Sequence, residues 1–466
     1  MKRAPNHIVE GPIIRSLFRL AWPIMASNLL LTMHNLVDAF WLGKLGKEAL
    51  AAPTLAWPVI FLVLSLGMGL AIAGTALVAQ YTGAREEKEA NRVAGQTFTF
   101  LLGMGLVMSL GGYLATEPIL RLMGVEPEVL RLATSYMQII FASLPMMFVL
   151  FIFRALLQGW GDTFTPMKLF LFSVLLNMAL DPLLIFGLGP FPRWEVSGAA
   201  AATALSRAVP AAYAIYLLFS GRAGLSLKPS YLRPDWRTIG RLVRIGFPAS
   251  IGQGGTALGF SVLMGIVARF GTATIGAFGV GNRIISLVMM PAMGLGQATT
   301  TMVGQNLGRD QKERAGQIVW ASMGINGMLL AAMGLCSFIF RADLVRVFID
   351  DAAVIARGAE LFRLVSFSLP FVGILQVMIG TYQGAGQTMY SMLFALFRLW
   401  ALRLPLAYLL GDHLGLGSDG VWWSMSLSNL GGALLSLGFF LTGNWQRKII
   451  RQPGRLEPVP DPPEEA

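Results

Sequence analysis

Two aspartates stand inside long apolar stretches of the sequence, Asp38 and Asp181. Asn177 precedes Asp181 by one helical turn and shares its face, and Thr203 lies at a similar depth in the next apolar stretch. Buried carboxylates that repel each other favour a protonated form, so these four side chains predict a proton site. The same oxygen atoms also suit a bare Na⁺. Taken singly, either aspartate could instead extend to the solvated end of its stretch.

Three more residues share the first apolar stretch with Asp38. His34 lies one turn earlier on the same face, where it could relay protons or act as a hydrogen-bonding core histidine. Asn35 lies on the neighbouring row of the same helix. Pro23 lacks a backbone donor and therefore predicts a hinge in this helix. We treat His34 and Asn35 as possible accessory residues of the ion site.

Composition places these residues in a membrane. The chain has 466 residues, of which 55% are hydrophobic and 13% charged, and its mean hydropathy is +0.62. A soluble protein of this size could not cover so much apolar surface. The net charge of +11 could suggest nucleic acid, but its distribution along the chain is typical of membrane topology. We expect no nucleic-acid partner.

Apolar runs between charged or Gly/Pro-rich breaks predict an all-α protein with twelve transmembrane helices. They lie near 14–42, 54–81, 94–116, 134–158, 166–189, 197–220, 240–269, 280–307, 317–340, 360–384, 390–411 and 419–444. Lys and Arg concentrate in the segments that share a side with the N-terminus. This asymmetry predicts a multi-pass protein of the plasma or inner membrane, with both termini in the cytoplasm.

The sequence contains an internal repeat with an offset of 225 residues. Pro23 then meets Pro248, Gln80 meets Gln305, and the run from Gln158 to Thr163 meets that from Gln383 to Thr388. Two six-helix lobes of equal polarity follow, related by a pseudo-two-fold axis along the membrane normal, with a cavity between them. The predicted parts are a cytoplasmic segment 1–13, an N-lobe 14–220, a cytoplasmic linker 221–239, a C-lobe 240–445 and a disordered cytoplasmic tail 446–466.

The two lobes differ in charge. The repeat counterparts of Asp38 and Asp181 are Leu263 and Leu406. Ionisable residues inside the membrane are costly and usually functional. We therefore expect ion coupling in the N-lobe alone.

Several motifs resemble the multidrug and toxic compound extrusion (MATE) family. They are WPIMASNLLLTMHNLVDAFWLGKLG, FRALLQGWGDTFTPM, NMALDPLLIFG and VSGAAAATALSR, and the likeness extends over about 15–445. The chain looks like the DinF-like branch, because the stretches 251–259 and 369–377 lack the acidic residues that NorM-like members carry there.

The resemblance also assigns roles to particular residues. It implies an ion-coupling site at Asp38, Asn177, Asp181 and Thr203, with a backbone carbonyl from Ala199. A tyrosine that many members carry one turn before the first aspartate is His34 here, which puts its hydrogen-bonding role in doubt. The coupling ion is H⁺ or Na⁺, and any Na⁺ would bind at the two aspartates, Asn177 and Thr203. No other cofactor is implied.

The two-lobed arrangement predicts transport by alternating access, and the family resemblance implies that the function is secondary active export of amphipathic, often cationic, organic compounds. We expect a monomer surrounded by membrane lipids. A lipid-linked oligosaccharide flippase is the alternative transporter, although such proteins usually carry more cationic cavity residues. An intramembrane transferase would need an acidic metal-binding run or clustered histidines, and the three histidines here are far apart. We therefore predict no enzymatic activity.

Overall fold

The computed structural model describes residues 7–450, and within that range the chain is helical without strands. Twelve long helices, α1 to α12, follow one another along it. They are Ile13–Gly43, Lys47–Gly83, Glu87–Leu122, Pro127–Trp160, Phe164–Phe186, Glu195–Ser220, Trp236–Ala268, Thr272–Gly308, Lys312–Ile339, Ala352–Gly384, Thr388–His413 and Ser418–Leu441. Short helices occur at His7–Glu10, Pro229–Tyr231, Arg341–Arg346 and Asn444–Gln446. The predicted fold class and the number of spans are confirmed.

Eleven of these helices are long and apolar enough to cross a membrane by length and composition alone. Helix α1 is the long helix outside that set. It has 31 residues, so length is not the reason. Its apolar run is interrupted by Asn28, His34 and Asn35, which lower its hydropathy. The helix with the predicted hinge and the first aspartate is therefore the one long helix of the described range without a strongly apolar stretch of 18 residues.

Each lobe packs its first helix against the other lobe. Leu17, Leu20 and Ile24 of α1 are buried in one cluster with Leu295 and other apolar residues of the C-lobe. In the equivalent position, α7 of the C-lobe lies against α2 of the N-lobe. There a side chain at Gly69 would overlap the backbone of Ser250. The lobes are thus joined by two symmetry-related contacts.

Two reciprocal hydrogen bonds repeat this symmetry near the end of the molecule where the described chain begins and ends, at His7 and Ile450, which we call the termini side. Gln80 of α2 donates to the Gly384 carbonyl of α10 at 3.1 Å. Its repeat counterpart, Gln305 of α8, donates to the Gly159 carbonyl of α4 at 2.9 Å. Because both donors and both acceptors are separated by the repeat offset, one contact occurs twice.

The glycines beside these glutamines are required by close backbone approach. A Cβ atom on Gly83 would overlap the backbone oxygen of Gln305, and one on Gly308 would overlap that of Gln80. The C-terminal ends of α2 and α8 therefore touch through their backbones. We call this contact, with the two glutamine hydrogen bonds, the termini-side seal.

Several further hydrogen bonds join the two lobes in the half of the molecule nearer the termini side. The one farthest from the termini joins the hydroxyl of Ser250 to the Leu66 carbonyl at 3.0 Å. Others lie nearer the termini, such as that from Thr301 to the Gln158 carbonyl at 3.1 Å. This structure is therefore closed on the termini side.

The segment between the lobes is packed along α3. Gln96 donates to the carbonyls of Tyr231 and Arg233, both at 2.7 Å, and accepts from the Asp235 amide at 2.7 Å. Asp235 then caps α7 by accepting from the amide of Arg237. The linker is therefore a fixed connection.

The described end of the C-terminal segment is also packed. Trp445 is buried, and the Ile449 amide donates to the side chain of Gln80 at 3.0 Å. The predicted tail begins at 446, so its first residues are in contact with the termini-side seal. The rest of that tail, 451–466, and residues 1–6 lie outside the described residues.

Helix α11 departs from regular α geometry, unlike its repeat counterpart α5. Phe397–Arg403 and Leu409–His413 are π-helical, whereas α5 is α-helical from Phe164 to Phe186. Widened turns of this kind occur most often at functional sites, because they redirect side chains.

Candidate ion site in the N-lobe

Three helices bring the predicted polar residues together in the N-lobe. Asp38 comes from α1, Asn177 and Asp181 from α5, and Thr203 from α6. The Asn177 amide donates to Asp181 Oδ1 at 3.1 Å, and the Thr203 hydroxyl donates to Asp38 Oδ2 at 3.5 Å. Each aspartate lies five residues before the end of its helix, at Gly43 or Phe186. The two aspartates therefore lie at the same distance from the ends of their helices, as the sequence predicts.

The two carboxyl groups lie within electrostatic reach of each other. Asp181 and Asn177 are completely buried, while the Asp38 side chain keeps 17% of its surface exposed. The less buried carboxylate thus lies on the approach to the more buried one.

Four buried polar atoms of this site have no hydrogen-bond partner among the described residues. They are His34 Nδ1, Asp38 Oδ1, Asn177 Oδ1 and Asp181 Oδ2. Leaving a buried polar atom unpaired costs on the order of 1–3 kcal/mol, and more for a charged group. Three of the four are oxygen acceptors that a proton or a cation would satisfy. The cluster therefore has the set of oxygen donors that a cation site needs.

The structure brings His34 to the site but not Asn35. His34 is buried, and its Nε2 lies 3.8 Å from Asp38 Oδ2, beyond a direct hydrogen bond. Asn35 is exposed on another face of α1. Ala199 is buried in α6, one turn before Thr203. His34 and Ala199 are thus placed at the cluster, and Asn35 lies away from it.

Pro23 is buried within a continuous α1, 15 residues before Asp38. Its carbonyl accepts the hydroxyl of Ser27 at 2.7 Å. At 1.5 Å per residue, the proline lies about 22 Å along the helix from the aspartate. A change at the ion site would therefore have to travel along α1 to reach it.

Sequence reasoning missed two residues beside the carboxylates. Arg207 of α6 and Tyr136 of α4 both lie within electrostatic reach of Asp38. Arg207 makes no ion pair among residues 7–450, and its Nη1 lies 3.4 Å from the sulfur of Met147. Arg207 could have been predicted from the sequence, because it follows Thr203 by one helical turn and so lies on the same face of α6.

The C-lobe has no carboxylate at the corresponding places. Leu263 is fully buried where the repeat has Asp38, and Leu406 is half-buried where it has Asp181. Within residues 7–450, no three or more His, Cys, Asp or Glu side chains are arranged to hold a metal ion. Charge in the C-lobe interior is instead positive, from Arg398 and Arg403 of α11.

Comparison with known proteins matches this two-lobed arrangement. The MatE family model matches residues 23–183 and 248–409, two stretches whose starts differ by the repeat offset of 225 residues. This chain belongs to the MatE family. Members of the family are transporters and not enzymes, so this MatE chain is a multi-pass membrane transporter.

Relatives of the MatE chain match it over nearly its whole length. A protein of Bacillus subtilis named probable multidrug resistance protein YoeA is 28% identical over 440 residues, covering 94% of this chain and 95% of its own. A protein of Shewanella oneidensis named FAD transporter is 28% identical over 428 residues, covering 91% and 93%.

Among solved structures, a MOP superfamily transporter from Pyrococcus furiosus aligns with a TM-score of 0.88 and 25% identity. The alignment covers 96% of this chain and 99% of that one. That transporter is described as having a binding pocket of reverse polarity that suggests a different function. The MatE fold is thus shared over the full described length.

Proposed function

We propose that this MatE chain is a secondary active exporter that exchanges amphipathic organic compounds for H⁺ or Na⁺ by alternating access. Relatives named as multidrug resistance proteins support drug-like substrates. The observation that carries the proposal is the pair Asp38 and Asp181 with its unpaired buried atoms. The lack of carboxylates in the C-lobe interior also supports membership of the DinF-like branch.

The charges around the pair suggest a stoichiometry. Two ionised aspartates and Arg207 give −2 + 1 = −1 when His34 is neutral. One bound proton or Na⁺ would bring the site to neutrality. Because a net charge inside the bilayer is unfavourable, the ion-bound N-lobe would be the form that changes conformation most readily. We therefore propose one coupling ion for each cycle.

The proposed cycle uses α1 as its moving part. The ion enters to Asp38 and Asp181 and stabilises a form of α1 bent at Pro23, which expels the compound. Because the termini are proposed to be cytoplasmic, a closed termini-side seal corresponds to a form that faces away from the cytoplasm. Opening the seal would then admit the next compound.

Purified protein in liposomes tests this proposal. Efflux of an ethidium-like dye is measured under an imposed pH gradient and then under an imposed Na⁺ gradient. The gradient that drives efflux identifies the ion, and Asp38→Asn and Asp181→Asn should both abolish that driven efflux. Asp343→Asn is the matched control, because Asp343 is exposed and paired only with Arg346. Wild-type efflux rates in either site variant would overturn the mechanism.

A further inference from the structure

Two arginines meet inside the C-lobe, in the π-helical part of α11. Arg403 is buried, and Arg398 is half-buried five residues earlier. Both donate to one atom, Oδ1 of Asn429 in α12, at 2.6 Å from Arg403 and 3.0 Å from Arg398. Arg403 also donates to the Ser428 hydroxyl at 3.0 Å. Two positive groups thus share one neutral amide oxygen.

No acidic side chain balances this charge. Neither arginine forms an ion pair with any residue in 7–450, in contrast to Arg269 nearer the end of the lobe, which pairs with Asp412. Arg398 is ten residues from the start of α11, or about 15 Å along it. That depth is close to the middle of a hydrocarbon core of roughly 30 Å. Two uncompensated charges near the midplane are costly, so their presence requires a reason.

The donors also outnumber the acceptors. Each guanidinium carries five N–H groups, whereas the pair makes three hydrogen bonds with the described residues. Nε of Arg398 is buried without a partner. Asn429 has already used its amide group to donate to Ser368 at 2.9 Å, which orients its oxygen towards the arginines. The site is built to hold both cations in place while leaving donors free.

Glycine shapes the space beside Arg398. A Cβ atom on Gly432 of α12 would lie 3.1–3.3 Å from the aliphatic stem of Arg398, tighter than ordinary contact. The absence of a side chain there lets the guanidinium extend along α12 towards Asn429. Arg398, as the less buried of the two, is the side from which a ligand would approach.

We propose that Arg398 and Arg403 form a binding site for the carboxylate or phosphate group of an amphipathic organic anion. Guanidinium groups bind such oxyanions through paired, charge-assisted hydrogen bonds, which chloride cannot form with the same geometry. That the bound anion is also transported rests on the proposed export function.

Equilibrium binding tests the site without any ion gradient. The protein is placed in nanodiscs of uncharged phosphatidylcholine and titrated with carboxyfluorescein, an anion, and tetramethylrhodamine ethyl ester, a cation of related shape. Arg398→Gln and Arg403→Gln should each weaken carboxyfluorescein binding about tenfold or more, with no parallel weakening for the cation. Arg357→Gln is the control, because it removes an exposed arginine of the same lobe whose side chain, among residues 7–450, donates to the Ser418 hydroxyl.

Asn429→Asp keeps both arginines and replaces the amide nitrogen of residue 429 by a carboxylate oxygen. The new carboxylate would occupy the position that the ligand's oxyanion is proposed to neutralise, so carboxyfluorescein binding should be lost while the protein stays folded. Unchanged anion affinity in Asn429→Asp, or equal losses for anion and cation in the arginine variants, would refute the site. Because no gradient is used, either result is independent of the efflux test of the aspartates.

A second set of nanodiscs distinguishes two sources of the anionic group. Including phosphatidylglycerol should leave carboxyfluorescein affinity unchanged if the site takes soluble amphipathic anions. Competition by phosphatidylglycerol that disappears in Arg403→Gln would show that a lipid headgroup occupies it. Both results support an oxyanion site, and only the origin of the ligand differs.

Discussion

The N-lobe and the C-lobe descend from one repeated pattern, yet their interiors carry opposite charge. Thr203 of the N-lobe donates to a carboxylate, and its repeat counterpart Ser428 accepts from the Arg403 guanidinium. Asp181, one helix away, corresponds to Leu406. The hydroxyl position has been kept on both sides while its charged partner has changed sign. The same backbone scaffold therefore supports a pair of carboxyl groups, the proposed cation site, in one lobe and positive charge in the other.

At the termini side, the lobes remained alike. Gln80 and Gln305 make the same bond, and Gly83 and Gly308 allow the same backbone contact. This difference shows which positions of the repeat must keep the same residue in both lobes. Residues in the contact between the lobes must fit each other, so both copies keep the same residues there. The interior of each lobe does not contact the other copy, so its polar and charged residues can differ.

Making the N-lobe interior resemble the C-lobe should have the largest effect. Asp181→Leu places at that position the residue that the repeat has at 406, and removes the most buried carboxylate of the site. We expect ion-driven dye efflux to fall by about 100-fold or more, because the fully buried carboxylate of the pair is lost and Asp38 alone is left to couple. Thermal stability should not fall in parallel, since a costly buried carboxylate has been removed. Efflux and melting temperature, measured on the same preparation, check both expectations.

The termini-side seal should break equally from either lobe. Gly308→Ala and Gly83→Ala each place a methyl group against a backbone carbonyl, a steric conflict that typically costs about 1–3 kcal/mol. The closed form should therefore lose population by a similar amount in both variants. Spin labels on the termini-side ends of α2 and α8 would measure the separation. Gly316→Ala is the control, because a Cβ there meets open space; unequal effects of the first two would contradict the symmetry.

Removing one glutamine side chain should weaken the termini-side seal less than the glycine-to-alanine variants do. Gln305→Ala removes one hydrogen bond between the lobes and leaves its twin at Gln80 in place. We expect a loss of roughly 1 kcal/mol for each single variant and about twice that for the double variant. The same spin-label distances measure the closed fraction. A double variant no worse than the single ones would show that the two bonds depend on each other.

The linker lies outside the repeat, and its variants should have the smallest effect. Asp235 caps α7, and its hydrogen bond from Thr238 lowers the pKa of its carboxyl group. A folded-state pKa below the unfolded value, which is about 4, means that this stabilisation is present above pH 4 and is lost as the pH falls through the folded value. Asp235→Asn should cost at most about 1 kcal/mol near pH 7, and nothing at low pH. Denaturation at both pH values checks this.

Much of this arrangement could be predicted from the residues. Long apolar runs determine spans, and the constant offset of the repeat determines two lobes, because both are properties of a chain in a membrane. The pairing of Asp38 with Asp181 followed from equal depth. The position of Asn35 could not be predicted in this way. Helical periodicity shows which face of α1 a residue occupies, but it does not show which other helix packs against that face.

The arginines show a further limit. Arg207, Arg398 and Arg403 carry the same charge as residues that anchor at interfaces, so composition does not separate them. Their roles depend on partners from other helices, such as Asn429, and on a π-helical turn that redirects Arg403. Such distant pairings are set by packing between helices. No local pattern in α11 encodes them.

The reciprocal bonds of Gln80 and Gln305 have a consequence for ancestry. An interface in which each partner offers one donor and one acceptor, used twice, is the isologous interface of a two-fold dimer. A single six-helix chain with one such glutamine and one such glycine carbonyl carries both the donor and the acceptor of this reciprocal contact. It could associate with a second copy of itself before any fusion of genes. The seal between these lobes thus has the form of a homodimer contact preserved within one polypeptide.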